Sequence, residues 1–337
     1  MAEAAALTLP EQGGQLIMVG VTPGVLDVAL LTQHHVGSVI LMGSWTSSTS
    51  VLAATRELAG VEGPVPLLIA ADQEGGKVQR LKGTGFSTIP TAVSQAKMTD
   101  AALEAAAKTW GTQLRAAGVH LDLAPVADVV PSSVGKRNAP IAALSRGYGS
   151  DPTLVSAKVS AFIRGMEAAD VATAVKHFPG LGAVTGNTDF ATKVVDTVTT
   201  ADSPLLASFN AAVAAKAGAV MVSTAYYDKI DPGNPAAFSP AVIDLLRSNV
   251  GFQGVVITDD LGVAKAVASV PASQRLLRAI EAGNDMAITT NAALAPAMLD
   301  GLLTEAAASP ALAAKIQAAT ARVLTLKASL GLVECQT

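Results

Sequence analysis

The sequence lacks the features that several classes of protein require. Its 337 residues include one cysteine, Cys335, so neither a disulfide framework nor a thiolate metal site can form. Only 15% of the residues are charged, the net charge is −4 and no basic block occurs, which argues against binding to nucleic acid or to anionic membrane surfaces. No stretch approaches the ~18 uninterrupted apolar residues that a transmembrane helix needs.

The N-terminal sequence lacks the features of a signal peptide. The N-terminal sequence, MAEAAALTLPEQ, has neither the basic region nor the apolar core of a signal peptide. We therefore expect either a cytoplasmic protein or an exported one whose leader has been removed. Because half of the residues are apolar, the chain can bury one large core. We expect a single domain over residues 12–332, with tails at 1–11 and 333–337.

Apolar runs typical of buried strands alternate with helix-like segments along almost the whole chain. The eight strand candidates are residues 15–21, 36–42, 66–72, 120–128, 171–178, 219–225, 254–260 and 285–290. Helices are predicted at 98–117, 152–168, 204–216, 239–249, 271–282 and 310–330. Eight such units fit a single (β/α)8 TIM barrel. A doubly wound open sheet is the alternative, but the turn after the first strand, GVTPG, is a poor dinucleotide-binding motif.

Charged and polar side chains cluster where the predicted strands end. Asp72 ends the third strand, Asp128 the fourth and Asp259 the seventh, and Lys176 and His177 end the fifth. Long loops, at 73–97, 129–151 and 179–202, follow three of these strands. In a barrel these loops surround the active site. Carboxylates and hydrogen-bonding groups around the C-terminal opening of a barrel suit a polyhydroxylated substrate. Glycoside hydrolysis in particular needs one carboxylate together with an acid.

Other chemistries fit this pattern less well. The three histidines other than His177 lie away from the rim, so no metal is implied. Neither a nucleophile elbow nor a P-loop occurs. A Schiff-base aldolase is an alternative, since burial of Lys176 at the end of a strand would depress its pKa. We interpret Asp151 and Asp260 as helix N-caps, because a predicted helix follows each of them.

Six segments carry a resemblance to a known family. In order they are IAADQEGGKVQRL, LDLAPVADV, RGYGSDP, VKHFPGLG, GFQGVVITDDLGV and AGNDMAI. They resemble glycoside hydrolase family 3, and among its members the single-domain bacterial β-N-acetylglucosaminidases that act on cell-wall fragments. The resemblance covers residues 12–332. It implies a retaining exo-β-N-acetylhexosaminidase that releases terminal N-acetylglucosamine from peptidoglycan-derived sugars, a monomer with a carbohydrate substrate and no cofactor.

The resemblance also implies roles for individual residues. Asp259, in ITDD, matches the catalytic nucleophile, which attacks the anomeric carbon and forms a glycosyl-enzyme. Other matching residues are implied to bind or surround the sugar: Asp72, Arg80, Asp128, Arg146, Lys176 and His177. A ring of charged hydrogen-bonding groups that fixes the hydroxyls, with a carboxylate on one face of the sugar, agrees with this chemistry.

The loop after the fifth strand departs from the family. Members usually have KHFPGHG, a short spacer and Asp-Ser-His, whose Asp-His pair is the general acid/base. Here the sequence is KHFPGLGAVTGNTD, with Leu181 for the first loop histidine, Asn187 for the paired aspartate and Asp189 for the paired histidine. No histidine follows His177. Members also often have histidine where this chain has Thr224, so we expect different substrate contacts there.

Three interpretations of this departure follow. Asp189 itself is the acid/base, its pKa raised by burial when a loop with flexible glycines at 180, 182 and 186 closes over the sugar. Alternatively, the proton comes from elsewhere, and a slow enzyme favours good leaving groups. In the third interpretation the chain binds amino sugars without cleaving them. We take Asp189 as the predicted acid/base.

Overall fold

A closed barrel of eight parallel strands forms the centre of the protein. The computed structural model describes residues 2–334, and side chains from residue 4 onward, so Cys335 lies outside the described residues. The strands are β1 (Ile17–Val21), β2 (Ser38–Leu41), β3 (Leu68–Ala71), β4 (Leu121–Asp122), β5 (Ala172–Phe178), β6 (Ala219–Val222), β7 (Val255–Asp260) and β8 (Met286–Thr289). Each strand pairs with its neighbours in the sequence, and β1 pairs with β8. The predicted (β/α)8 TIM barrel is confirmed.

Helices surround the barrel. They are α1 (Ala2–Ala6), α2 (Leu9–Gln15), α3 (Val28–Gln33), α4 (Ser48–Ala59), α5 (Ala92–Gln95), α6 (Asp100–Ala116), α7 (Pro152–Glu167), α8 (Ala207–Ala214), α9 (Pro240–Asp244), α10 (Ala272–Ala282), α11 (Ala295–Ala308) and α12 (Pro310–Ser329). A helix forms in each of the six segments predicted as helical. The segment 204–216 begins as a 3-10 turn over Pro204–Leu206, and 239–249 ends as a π-helical turn over Leu245–Asn249. Among residues 2–334 no helix is long and apolar enough to cross a membrane.

The predicted N-terminal tail is largely helical. Residues 1–11 include α1 and the first turn of α2, and α1 packs against α12. The helix α2 starts with a capping box, in which the Thr8 hydroxyl accepts from the Glu11 N–H while the Glu11 carboxylate accepts from the Thr8 N–H. Because α2 leads into β1, it lies at the N-terminal end of the barrel, opposite the predicted site.

Local hydrogen bonds confirm the predicted N-cap role of Asp151 and contradict that of Asp260. Asp151 caps α7, because its carboxylate accepts from the Thr153 N–H at 2.9 Å. The prediction that Asp260 is a helix N-cap is wrong, since no helix begins directly after it. Its carboxylate instead accepts from the Gly262 N–H at 2.7 Å and from the N–H and hydroxyl of Thr290. Asp260 therefore ties the end of β7 to the end of β8.

Short strands add small sheets to the C-terminal side of the barrel. Trp45–Ser47 pairs with Leu81–Thr84, and Gln73–Gly75 forms a hairpin with Val78–Gln79. The three short strands of the remaining sheet are Val195–Asp196, Tyr226–Tyr227 and Asp231–Pro235. The last of these sheets joins the loop after β5 to the loop after β6, which limits how far the loop after β5 can move.

Candidate active site

A cavity of about 340 Å³ opens at the C-terminal end of the barrel. It is lined by seven of the eight residues that the sequence predicts for the site: Asp72, Arg80, Arg146, Lys176, His177, Asp189 and Asp259. The eighth, Asp128, lies behind His177 and does not line the cavity. Since these residues come from four different strands and the loops that follow them, the closed barrel is what brings them together.

The floor of the cavity is a network of charged side chains. The Lys176 ammonium lies 2.6 Å from an oxygen of Asp72 and 2.7 Å from an oxygen of Glu74. Arg146 holds the same Glu74 carboxylate with two hydrogen bonds, from Nε at 2.9 Å and from Nη2 at 2.7 Å. This bidentate pairing fixes the guanidinium plane. Nη1 of Arg146 also donates to the carbonyl of Pro140 at 2.9 Å, and both cations line the cavity.

Burial and charge act in opposite directions on this network. Burial alone would lower the pKa of Lys176, but the charges of Asp72 and Glu74 outweigh it and raise that pKa. Burial would raise the pKa of Glu74, whereas Arg146 and Lys176 lower it to about 2. Lys176 is therefore a fixed ammonium. The premise of the aldolase alternative, a depressed pKa for Lys176, is wrong.

A buried aspartate orients the imidazole of His177. Oδ2 of Asp128 accepts from Nδ1 of His177 at 2.8 Å, and Oδ1 accepts from the N–H groups of His177 and Leu181 at 3.1 and 2.7 Å. Because Nδ1 points to the carboxylate of Asp128, Nε2 is directed away from it and lies 3.5 Å from Nη2 of Arg146. The Lys176–His177 peptide bond is cis, and both side chains line the cavity.

Two aspartates lie above the charged floor. Asp259, at the end of β7, is half-buried, and one of its oxygens accepts from the Asp260 N–H at 2.8 Å. Asp189 lies on the loop after β5 and its side chain reaches solvent at the mouth of the cavity. Desolvation by the surrounding protein raises the pKa of Asp189 above its usual value, and the negative charge of Asp259 is the second-largest cause. The carboxyl group of Asp189 therefore keeps its proton to a higher pH than a free aspartate does.

The first half of the loop that carries Asp189 is held firmly. The amide Nδ2 of Asn138, which is fully buried, donates to the carbonyls of Leu181, Gly182 and Val184 at 2.6, 3.1 and 2.8 Å. Gly182 packs so closely on the backbone that an added Cβ would lie 1.8 Å from the carbonyl oxygen of Val129. This glycine is needed for close approach, and the expectation that it makes the loop flexible is wrong.

The second half of the same loop is anchored by fewer contacts. Oδ1 of Asn187 accepts from the Asp189 N–H at 2.9 Å, which closes a local turn. The carbonyls of Thr188 and Asp189 accept from the N–H groups of Ala266 and Lys265 at 3.1 and 3.4 Å. The position of Asp189 therefore depends on the loop after β7 as well as on its own turn.

Sequence reasoning missed two structural residues of the site. Glu74 holds both floor cations, and Asn138 holds the loop, but neither was predicted for the site. Thr224, where different substrate contacts were expected, is fully buried with an unpartnered hydroxyl and does not line the cavity. Met221, on β6, lines this side of the cavity instead. In the described part of the chain, no group of three His, Cys, Asp or Glu side chains is arranged to hold a metal ion.

Comparisons with known proteins agree with this geometry. The family described as "Glycosyl hydrolase family 3 N terminal domain" matches residues 8–326. Beta-hexosaminidase LpqI of Mycobacterium tuberculosis is 32% identical over 337 residues, which cover 96% of this chain and 84% of that protein. A beta-hexosaminidase of Xylella fastidiosa is 37% identical over 258 residues, 73% of each chain.

Solved structures give the same result. The beta-N-acetylhexosaminidase of Beutenbergia cavernae superposes with a TM-score of 0.91 at 44% identity, covering 95% of this chain and 98% of that one. The structure of LpqI from M. tuberculosis superposes with a TM-score of 0.86 at 30% identity, covering 96% of each chain. With its barrel, its charged cavity and a match that spans residues 8–326, the chain belongs to glycosyl hydrolase family 3.

Proposed function

We propose that this member of the family is a retaining exo-β-N-acetylhexosaminidase that removes terminal N-acetylglucosamine from peptidoglycan-derived or related glycosides. The observation that carries the proposal is the single cavity in which Asp259 and Asp189 face a floor of fixed charges. The relatives named beta-hexosaminidase support the class of substrate. We assign the catalytic domain to residues 12–332, which include every residue that lines the cavity.

The floor suits the binding of one sugar ring. Lys176 and Arg146 are held in place by carboxylates, so they donate to hydroxyls without having to be reoriented. Asp72 accepts hydrogen bonds from hydroxyls. The Nε atom of Arg80 is buried without a hydrogen-bond partner among the described residues, and its guanidinium is available to a substrate oxygen. Since a monomer supplies all these groups, no second copy is required.

The two aspartates divide the chemistry between them. Asp259 attacks the anomeric carbon, the glycosidic bond breaks, and Asp189 in its acid form gives its proton to the departing oxygen. Water then attacks the anomeric carbon of the glycosyl-enzyme while the Asp189 carboxylate takes a proton from that water. The bond to Asp259 breaks, and the sugar is released with its original β configuration. The raised pKa of Asp189 supports the acid role, because the proton is held at a pH where a free aspartate would have lost it.

The test measures hydrolysis of 4-nitrophenyl N-acetyl-β-glucosaminide beside the corresponding β-glucoside. The wild type should turn over the N-acetyl substrate, and Asp259→Ala should abolish turnover while leaving the fold intact, as judged by circular dichroism. Asp189→Asn should slow an N-acetylglucosaminyl disaccharide far more than the aryl glycoside, because nitrophenolate leaves without a proton. Full activity of Asp259→Ala would overturn the nucleophile assignment, and equal losses on both substrates would overturn the acid role.

A pH profile tests the same assignment independently. For the disaccharide, kcat/KM should fall as the pH rises through the raised pKa of Asp189, because the acid must start protonated. In Asp189→Asn this alkaline fall should disappear. An unchanged profile would move the proton donor elsewhere, and His177 is the imidazole that lines the cavity.

Amino-sugar binding without cleavage is the second candidate. It is favoured by the loop sequence, in which Asn187 uses its side chain to close a turn and no imidazole follows His177. Binding of N-acetylglucosamine by calorimetry, with no turnover of either glycoside, would establish this function in place of the proposed one.

A further inference from the structure

Two exposed hydrophobic side chains lie at the mouth of the cavity. Among the described residues, five large hydrophobic side chains are strongly exposed, and only Phe190 and Val263 of these line the cavity. Phe190 is 77% exposed and Val263 is 58% exposed. A solvent-exposed aromatic ring gains no free energy from packing. Its position beside a cavity therefore points to a ligand that covers the ring when it binds.

The backbone brings these two side chains onto neighbouring loops. Phe190 directly follows Asp189, and Val263 lies on the loop after β7. These loops are joined by the hydrogen bonds from Ala266 N to Thr188 O and from Lys265 N to Asp189 O. The apolar pair is therefore positioned by the same contacts that position Asp189.

Depth within the cavity determines which part of a glycoside would reach this pair. Lys176 and His177, on the floor, are 2% and 4% exposed, whereas Phe190 lies at the open end. A terminal sugar held by the floor has its anomeric carbon near Asp259, and its leaving group must extend past Asp189 towards solvent. The first surface that the leaving group meets there is Phe190.

We propose that Phe190, with Val263 beside it, is the binding platform for the leaving-group sugar. The proposal rests on the proposed function and deepens it by identifying the aglycone class as a pyranose. The axial C–H groups of a β-linked pyranose form an apolar face that can cover an aromatic ring, and covering it removes apolar surface of both from water. Phe190 would then select substrates by the size of the leaving group, which the charged floor cannot do.

The experiment compares two substrates that differ in the size of the leaving group. Methyl N-acetyl-β-glucosaminide and the β-1,4-linked disaccharide of N-acetylglucosamine both release an unactivated alcohol, so both need the acid. Only the disaccharide can cover Phe190. Kinetics are measured for wild type, Phe190→Ala, Phe190→Leu and Phe190→Tyr. Val198→Ala is the matched control, because Val198 is a 50% exposed side chain of the same 179–202 loop that does not line the cavity.

We expect Phe190→Ala to lower kcat/KM for the disaccharide by about fivefold to tenfold, mainly through KM, as is usual for a lost aromatic contact. The loss for the methyl glycoside should be at most about twofold, since its leaving group contributes little apolar area. Phe190→Tyr should restore the disaccharide rate, Phe190→Leu should restore part of it, and Val198→Ala should match the wild type.

Other outcomes overturn the proposal in distinguishable ways. Equal losses on both substrates in Phe190→Ala would mean that the ring only supports the loop, and an unchanged disaccharide rate would mean that the leaving group does not contact it. If Asp189 were displaced instead, the loss would appear in kcat for both glycosides. A wild type that hydrolyses neither substrate would refute the proposed function itself rather than the role of Phe190.

Discussion

Two fully buried lysines mark the opposite ends of one barrel. Lys176, at the C-terminal end, lies against the carboxylates of Asp72 and Glu74. Lys327, on α12, lies at the N-terminal end, where its ammonium donates to three uncharged oxygens at 2.7 to 2.8 Å: Oε1 of Gln15, and the carbonyls of Gly37 and Pro66. These acceptors lie one or two residues before the first residues of β1, β2 and β3.

The partners explain what each lysine can do. Charged partners raise the pKa of Lys176 against its burial, so a permanent cation faces a cavity that a ligand can enter. At the other end, burial lowers the pKa of Lys327 to about 7, and no carboxylate within residues 2–334 opposes this shift. Its donors are all used within the protein. The barrel thus separates binding from stability between its two ends, as is general for this architecture.

Matched Lys→Met substitutions test this separation, and Lys176→Met should have the largest effect. Removing the ammonium leaves Asp72 without its cation, and it removes the donor that we propose for a sugar hydroxyl. We expect kcat/KM to fall by roughly a thousandfold, the upper range for loss of one charge-stabilising donor. The measurement is kcat/KM on 4-nitrophenyl N-acetyl-β-glucosaminide, normalised to the folded fraction. A loss smaller than tenfold would show that the ammonium supports the floor without contacting the substrate.

Lys327→Met should show the opposite pattern. Three buried acceptors lose their donor, and we expect the free energy of unfolding to drop by about 3 kcal/mol. The rate per folded molecule should stay within about twofold, because the substitution lies at the far end of the barrel. Urea denaturation and the same kinetic assay measure the two quantities. A large loss of activity in a fully folded variant would show that the two ends are coupled.

The pH dependence of the free energy of unfolding also distinguishes Lys327 from Lys176. Between about pH 7 and the unfolded pKa of 10.5, the unfolded chain binds a proton at Lys327 that the folded chain has released. Stability should therefore rise with pH across this window in the wild type, relative to Lys327→Met. Lys176 has a raised pKa, so its contribution is complete below pH 10.5 and is lost only as the pH rises through the folded value. A flat difference between wild type and Lys327→Met would mean that Lys327 stays protonated despite its burial.

The barrel could be predicted because each of its strands is a short apolar run between turn signals. The same pattern located the strand ends, and with them Asp72, Lys176 and Asp259. Glu74 was missed because its importance comes from Arg146, which lies 72 residues further along the chain. Such pairings between loops leave no local periodicity, so sequence spacing alone does not identify them.

The smallest effect is expected from a substitution in contact with the loop after β5. It compares the two halves of this loop, at the C-terminal end of the barrel. Asn138 donates to the carbonyls of residues 181, 182 and 184, whereas the part of the loop that carries Asp189 depends on its own turn and on the loop after β7. Asn138→Asp keeps the acceptor that receives the Ile141 and Ala142 N–H groups at 3.0 and 2.9 Å. It turns the donor to the three carbonyls into an oxygen that repels them.

If the held half of the loop positions Asp189, Asn138→Asp should lower kcat by about tenfold, the usual size of a small misplacement of an acid. The loss should be larger for the disaccharide than for the aryl glycoside, because only the former needs the proton. Binding of N-acetylglucosamine should change little, since the floor residues are untouched. Equal losses on both glycosides would instead assign Asn138 to the floor, through the backbone of Leu181 and its contact with Asp128.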